Sequence, residues 1–455
     1  MDWSLGRFGD LRLDKKGAAI LEGMVVRKTV CLRRLGGSRA GELGAGRFFS
    51  CGKVTAEKIV AGWSHRTGAA CVGRHVLAID DTCEVKFPTT AQRRRGLGPL
   101  SRTNIYGVLV HSMIAVDAAS GACLGLAGGQ IWTREGVNPV HYRDRPMEER
   151  ESIRWLETAE RAKPVLAEAS MVTVVDDRES DIYAKWAKVP SANFHLLSRA
   201  AKNRRLAGGS MLYDAMAGFA ATGRRDIVLQ PRGPGQAKRT ARVELRYGSV
   251  ALRRPDRAEA DLPKSVELRA IEVRETGAPA GAEPVLWRLL TTHAIADAAA
   301  AWQIVDWYRL RWVIEQLHRV LKQQGLQLED SQIATAERLE KLAAVAVKAA
   351  CIDIQLTQER DGEHGLPVSA MFGNEETETI EALVPQLEGK TVRQQNPHPR
   401  QSLARASWVI ARLGGWNCYY KPPGPITFRR GMEQFYAIHR GRTMQMRQNR
   451  DVRIP

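Results

Sequence analysis

The residues with the clearest chemical potential lie in Asp306-Trp-Tyr-Arg-Leu-Arg-Trp-Val-Ile-Glu-Gln-Leu-His-Arg-Val-Leu-Lys322. At roughly 100° per residue, Leu310, Val313, Ile314, Leu317, Val320 and Leu321 share one side of a helix, an apolar face that has to be buried. Tyr308, Arg311, Glu315 and Lys322 fall in a narrow arc on the opposite side. A phenol, a guanidinium, a carboxylate and an ammonium then stand in one row along a rigid element, suited to holding an anion against a metal ion. The plain alternative is a solvated face, because Arg311 and Glu315 are also an ordinary i,i+4 pair. Asp81 and Asp177 change the weighting: each stands just past a β-branched run that reads as a buried strand.

Phosphodiester cleavage by two Mg²⁺ ions needs several acidic oxygen ligands on rigid elements, with the ions roughly 3.5–4 Å apart. Three carboxylates leave positive charge over for the phosphate. A carboxylate at the end of a central strand, a second at the end of a neighbouring strand and a third from a helix beside them would meet at one sheet edge, the usual ligand site of open α/β folds. Asp80 and Asp81 both flank the first strand end, and alternation does not choose between them.

The elements that must position these groups follow from periodicity. Val76-Leu-Ala-Ile-Asp-Asp-Thr82 reads as an apolar strand ending in two carboxylates, residues 107–117 and 122–132 as a hairpin beside it, and Met171-Val-Thr-Val-Val175 as a second buried strand ending at Asp176 and Asp177. A helix is predicted near 148–168. Residues 205–290 read as β-rich, with a hairpin in 242–253 turning over Gly248-Ser249 and further strands at 265–273 and 284–291. Gly- and Pro-containing linkers at 231–235 and 277–281 separate them. Helices return from Ala296 to about Glu359, and short basic helices are expected over 8–35 and 48–63, with Thr55 as a helix cap. Apolar spacing marks further helical stretches around 407–413 and 432–436. Arg93-Arg-Arg95 and Lys202-Asn-Arg-Arg205 are loop-like basic clusters, either solvated or following a phosphate backbone.

Composition bounds the rest. With 455 residues, 44% apolar and 26% charged, the chain is expected to be a soluble globular protein of two or three domains. The net charge of +18 is carried by the ends: residues 1–70 hold +7, residues 390–455 hold +11, and the middle is neutral. Terminal segments that neutralise phosphates around an electrically balanced centre point to a polyanion partner such as a nucleic acid. No uncharged apolar run long enough to span a bilayer exists, since residues 342–356 are short and interrupted by Lys348 and Asp353. Seven scattered cysteines without a Cys-x-x-Cys pair support neither a disulfide framework nor a thiolate zinc site. A reducing, cytoplasmic location with no membrane contact is the expectation.

Tyr308-x₂-Arg311-x₃-Glu315-x₆-Lys322 resembles the Y-R-E-K signature of bacterial insertion-sequence transposases, the family typified by the transposase of transposon five. The resemblance extends to Ala78-Ile-Asp-Asp-Thr82, where Asp81 matches the family's first catalytic position, and to Asp177-Arg-Glu-Ser-Asp181, which departs from the family's D-R-E-A-D only at Ser180. It reaches weakly into the N-terminal helices and to Leu413-Gly-Gly-Trp416. It implies an α/β fold with a ribonuclease-H-like catalytic core, a mixed sheet flanked by helices, over about 71–360. That core would carry a β-rich insertion at about 205–290, between an N-terminal helical DNA-end recognition domain (1–70) and a C-terminal helical domain (361–455).

The function so implied is cut-and-paste DNA transposition. Asp81, Asp177 and Glu315 would be the catalytic metal ligands, with Mg²⁺ as cofactor and Mn²⁺ as a substitute. Tyr308, Arg311 and Lys322 would hold DNA phosphates, Trp287 would stack on an extruded base, and Arg199 matches a basic family position. The partners would be transposon ends and target DNA, with a homodimer in the DNA complex. Two rival readings are a catalytically inactive repressor that binds transposon ends, and a metal-dependent endonuclease without strand transfer.

Overall fold

Val76-Leu-Ala-Ile79 and Val172-Thr-Val-Val175 carry the β-branched and aliphatic side chains that suit a strand covered on both faces. In the computed structural model they become adjacent parallel strands, paired from His75↔Met171 to Ile79↔Val175. The structure describes residues 1–87, 95–101, 105–135, 145, 147–229 and 238–451. The linker at 231–235 and Arg93 and Arg94 of the first basic cluster lie outside the described residues.

The described helices and strands are, in chain order, α1 (Leu11–Arg27), α2 (Leu32–Gly36), α3 (Arg39–Ser50), α4 (Ala56–Ala61), α5 (Thr67–Cys71), β1 (His75–Phe87), β2 (Gly98–Pro99), β3 (Tyr106–Asp117) and β4 (Cys123–Trp132). After these come α6 (Ile153–Ala162), β5 (Met171–Asp176), α7 (Tyr183–Lys188), β6 (Phe194–Arg199), α8 (Leu212–Gly218), β7 (Ala221–Leu229), β8 (Arg239–Arg253), β9 (Ser265–Glu275) and β10 (Leu286–Thr291). The chain closes with α9 (Ala298–Leu310), α10 (Trp312–Arg319), α11 (Ala336–Gln358), α12 (Asn374–Leu387), α13 (Leu403–Leu413) and α14 (Pro425–Asp451). They fall into two compact units.

One unit comprises Gly73–Asp81 and Val140–Trp312. Its strands run in the order β1-β5-β6-β10-β9-β8-β7. The pairs β1–β5 and β5–β6 are parallel, and the remaining pairs are antiparallel, so the sheet is mixed. Two expectations need correction here. Asp80 and Asp81 do not end their strand, because β1 continues to Phe87 with Cys83, Val85 and Phe87 buried and Glu84 and Lys86 partly exposed. That period-2 alternation is a strand signal of its own. Nor does 242–253 form a hairpin: Gly248 and Ser249 lie within the single strand β8, opposite Ala270 and Arg269 of β9. Gly248 answers a packing need rather than a turn, since a Cβ there would collide with the ring of Phe219.

The other unit comprises Met1–Val72, Thr82–Pro139 and Val313–Pro455. Strand β4 pairs with β3 as the expected hairpin, and Thr55 caps α4 by accepting from Lys58 N. Helix α11 is buried along most of its length against β4, α1 and α4. The charges that interrupt its apolar run are satisfied inside the fold. Lys348 donates to the Ser4 and Gly62 carbonyls at 2.7 and 2.6 Å, and Asp353 pairs with Lys28. Burial lowers the Lys348 ammonium to about 8. No helix among the described residues is long and apolar enough to cross a membrane. Among the described residues no disulfide joins two cysteines.

Glu340 on α11 is a local liability. Burial, followed by the like charges of Glu57 and Glu337, pushes its carboxyl from 4.5 up to about 7. A raised acid keeps its proton in the folded chain where the unfolded chain has lost it. Its contribution is therefore complete below about 4.5 and is lost as pH rises through about 7. Glu340→Gln is expected to leave the melting temperature nearly unchanged at pH 5 and to stabilise by about 1–2 kcal/mol at pH 8, after allowance for solvent screening. Equal shifts at both pH values would rule out repulsion as the cause.

Candidate active site

In β1 the alternation that sequence could not resolve is decided by burial. Asp80 is 0% exposed, whereas the Asp81 side chain keeps 16% of its surface. The same division recurs on β5, where Asp176 is 1% exposed and Asp177, just beyond the strand, is half-buried. The last paired residues, Ile79 and Val175, lie one strand spacing apart, about 5 Å. Each is followed by one buried and one accessible aspartate. Asp177 is held as the cap of a 3₁₀ turn over Arg178–Ser180, its side chain accepting from Glu179 N at 2.7 Å and its carbonyl from Ser198 Oγ at 2.9 Å.

Arg311 donates to Asp81 Oδ2 at 3.3 Å, so a guanidinium stands beside this carboxylate. Tyr308, one turn earlier, is buried, with its ring centroid 6.3 Å from that of Trp287 on β10. Burial raises the Tyr308 phenol, the charges of Arg311 and Arg199 oppose that rise, and Asp177 adds to it. Tyr308, Arg311, Arg199 and Asp177 therefore share one electrostatic neighbourhood. Arg199 ends β6 and donates to the Leu286 carbonyl at 2.9 Å. The placement of Tyr308 corrects the expectation that it lies opposite the buried side of its helix.

Behind the accessible aspartates lies a buried cluster that sequence reading missed. Lys185 of α7, 1% exposed, sets Nζ 2.8 Å from Asp176 Oδ2, 2.8 Å from Ser180 Oγ and 4.0 Å from Asp80 Oδ2, with the Trp155 ring centroid 5.8 Å away. Ser180 Oγ also donates to Asp176 Oδ2 at 2.8 Å. Desolvation raises the carboxyls of Asp80 and Asp176, and Asp176 is raised further by its charged neighbour Asp80, while Lys185 lowers both. Two buried carboxylates against one ammonium would leave a net charge, and a retained proton removes it. Asp181, the last residue of the Asp177–Asp181 segment, accepts from Ala201 N and from Arg204 Nε, at 2.9 and 3.0 Å. One arginine of the 202–205 cluster thus serves the fold.

The single rigid helix expected over 306–322 is broken twice. Helix α9 ends at Leu310, α10 starts at Trp312, and Val320–Gln324 is a π-helical turn that carries Lys322. Lys322 is therefore taken off the ideal helical phase, since a π turn shifts the side chains it carries. In its own unit, Glu315 lies half-buried on α10, whose Val313, Ile314 and Leu317 are buried as the apolar face requires. His318, three residues on and so on the same helix face, was missed; its ring nitrogen lies within 4.8 Å of a Glu315 oxygen. The Glu-x-x-His spacing was the available signal. Carboxylates suit a hard divalent cation, and the half-buried side chains of Asp81 and Asp177 are better placed to offer oxygens to one than those of Asp80 and Asp176, which are buried against Lys185.

Residues 135–352 match a protein family described as Transposase DDE domain, a stretch that contains Asp177 and Glu315 and leaves out Asp81. The match supports a DDE transposase. Among solved structures, the chain is similar to the piggyBac transposase synaptic complex with hairpin DNA, at 9% identity and a TM-score of 0.32. The similarity covers 77% of this chain and 56% of that one, so this chain spans little more than half of its length. At that level the likeness decides nothing about this protein.

Proposed function

We propose that this protein is a cut-and-paste DNA transposase of the DDE class, in which Asp81, Asp177 and Glu315 hold divalent ions, Mg²⁺ or Mn²⁺. The observation that carries the reading is the repeated pair at the ends of β1–β5 pairing. Each strand supplies a buried aspartate followed by an accessible one, and the second pair lies inside the stretch matching transposase DDE domains. In this reading the mixed sheet belongs to a ribonuclease-H-like core, residues 205–290 are its β-rich insertion, residues 1–70 recognise transposon ends, and residues 361–455 pair two protomers. The +11 of residues 390–455 favours protomers bridged by DNA, since like charges repel without a polyanion between them.

Bound ions would activate the attacking oxygen and stabilise the leaving one. The chain's own groups place the DNA. Arg311 suits a fork onto phosphate oxygens, Lys322 supplies a point charge, and Tyr308 adds a hydroxyl donor. Trp287 offers a stacking face for an extruded base, and Arg199 adds positive charge beside it. Water nicks one strand, the freed 3′-OH attacks the opposite strand to close a hairpin, the hairpin is reopened, and the 3′-OH attacks target DNA. Each transfer breaks one P–O bond as it forms another.

The test uses the DNA flanking the gene. In Mg²⁺ the full chain is expected to cut at terminal inverted repeats and join the cut ends to a target plasmid, and chelation of the metal should abolish both while leaving end binding. Cutting without joined products would leave an endonuclease. Binding without metal-dependent cutting would leave a repressor.

A further inference from the structure

Beyond the metal ligands, we propose that Lys185, with Ser180, is a positioning residue that fixes the spacing of Asp81 and Asp177 by clamping the residue in front of each. The proposal rests on the transposase reading above, and its ground is geometric. Lys185 Nζ is 2.8 Å from Asp176 Oδ2 and 4.0 Å from Asp80 Oδ2, so one buried ammonium ties together the two strands whose next residues are the accessible carboxylates. Ser180 Oγ bridges Asp176 and Lys185 at 2.8 Å each and belongs to the 3₁₀ turn that Asp177 caps. The clamp therefore reaches Asp177 by two routes, along β5 and through the turn. Ser180 is also where the segment departs from the D-R-E-A-D pattern, and its extra hydroxyl is used here.

Stability alone gives a poor reason for the cluster. Desolvating an ammonium and two carboxyls is costly, and apolar groups of equal volume often replace buried ion pairs without loss. Groups behind a metal site orient the ligands in front of them, and losing one weakens metal affinity or activity about 10–100-fold.

Mn²⁺ binding to the full chain, followed by electron paramagnetic resonance, tests the clamp without relying on turnover. Lys185→Met is expected to weaken Mn²⁺ about 10-fold and to raise the Mg²⁺ concentration for half-maximal end cleavage by a similar factor, with DNA-end binding unchanged. Ser180→Ala should shift both in the same direction by less. A purely structural role would lower the folded fraction and leave both metal midpoints where they were, which would overturn the proposal. If Lys185→Met does not fold, Ser180→Ala decides, and unchanged midpoints in that variant overturn it as well. Asp177→Asn separates the two ideas: Mn²⁺ affinity untouched by that change sinks the metal reading itself, whereas affinity lost there but kept in Lys185→Met sinks only the clamp.

Discussion

Asp177→Asn is expected to lower Mg²⁺-dependent cleavage of transposon ends about 10³-fold while leaving end binding and the melting temperature close to those of the wild type. The local fold should survive because Asp177 works there as an acceptor: its side chain takes the Glu179 N–H at 2.7 Å, and an asparagine oxygen can accept the same bond. What asparagine cannot supply is the negative charge that a divalent ion needs in the company of phosphate. Several kcal/mol of transition-state stabilisation depend on that ion, and about 4 kcal/mol corresponds to three orders of magnitude. Glu315→Ala should lose cleavage to the same extent, since Glu315 is half-buried on α10 and not part of its apolar face. Asp81→Asn is a less clean probe, because it also takes the charge partner from Arg311. Cleavage within about threefold of wild type in Asp177→Asn would remove the basis for a DDE mechanism.

The parts of this site that were legible in the sequence are local ones. A β-branched run followed by two aspartates, seen twice, specified β1 and β5 and the four carboxyls at their pairing end. Which aspartate faces outward was not legible, because the apolar run conceals the alternation that resumes at Cys83-Glu-Val-Lys-Phe87. Helical phase placed Val313, Ile314 and Leu317 on the buried side, but an ideal 3.6-residue period carried past Val320 gave Lys322 a phase that the π turn shifts. Lys185 could not be found by pattern at all. A lysine in Tyr183-Ala-Lys-Trp-Ala-Lys188 reads as an exposed helix position, and only the contacts that bring β1, β5 and α7 together turn it into a buried one. Gly248-Ser249 misled for the same reason, since the ring of Phe219 that requires a glycine is distant in sequence.

Helix α14 offers a paired test in which backbone propensity and packing point in opposite directions. A Cβ on Gly431 would collide with the carbonyl oxygen of Ile410 on α13, whereas a Cβ on Gly441, ten residues further along the same helix, would meet nothing within 4 Å. Alanine is favoured over glycine in a helix interior by about 1 kcal/mol. At Gly441 that gain is unopposed, so Gly441→Ala should raise stability by about 0.5–1 kcal/mol. At Gly431 the obstacle is backbone, which cannot swing aside as a side chain can. The two helices must separate, and the separation loosens Phe428, Met432, Phe435 and Tyr436, all buried along the same face of α14. Overpacking of this kind costs about 1–3 kcal/mol and outweighs the propensity gain, so Gly431→Ala should lower the melting temperature by several degrees. Calorimetry on the two single variants reads the contrast directly. Stabilisation in both would mean that α13 and α14 do not cross as closely as these glycines imply.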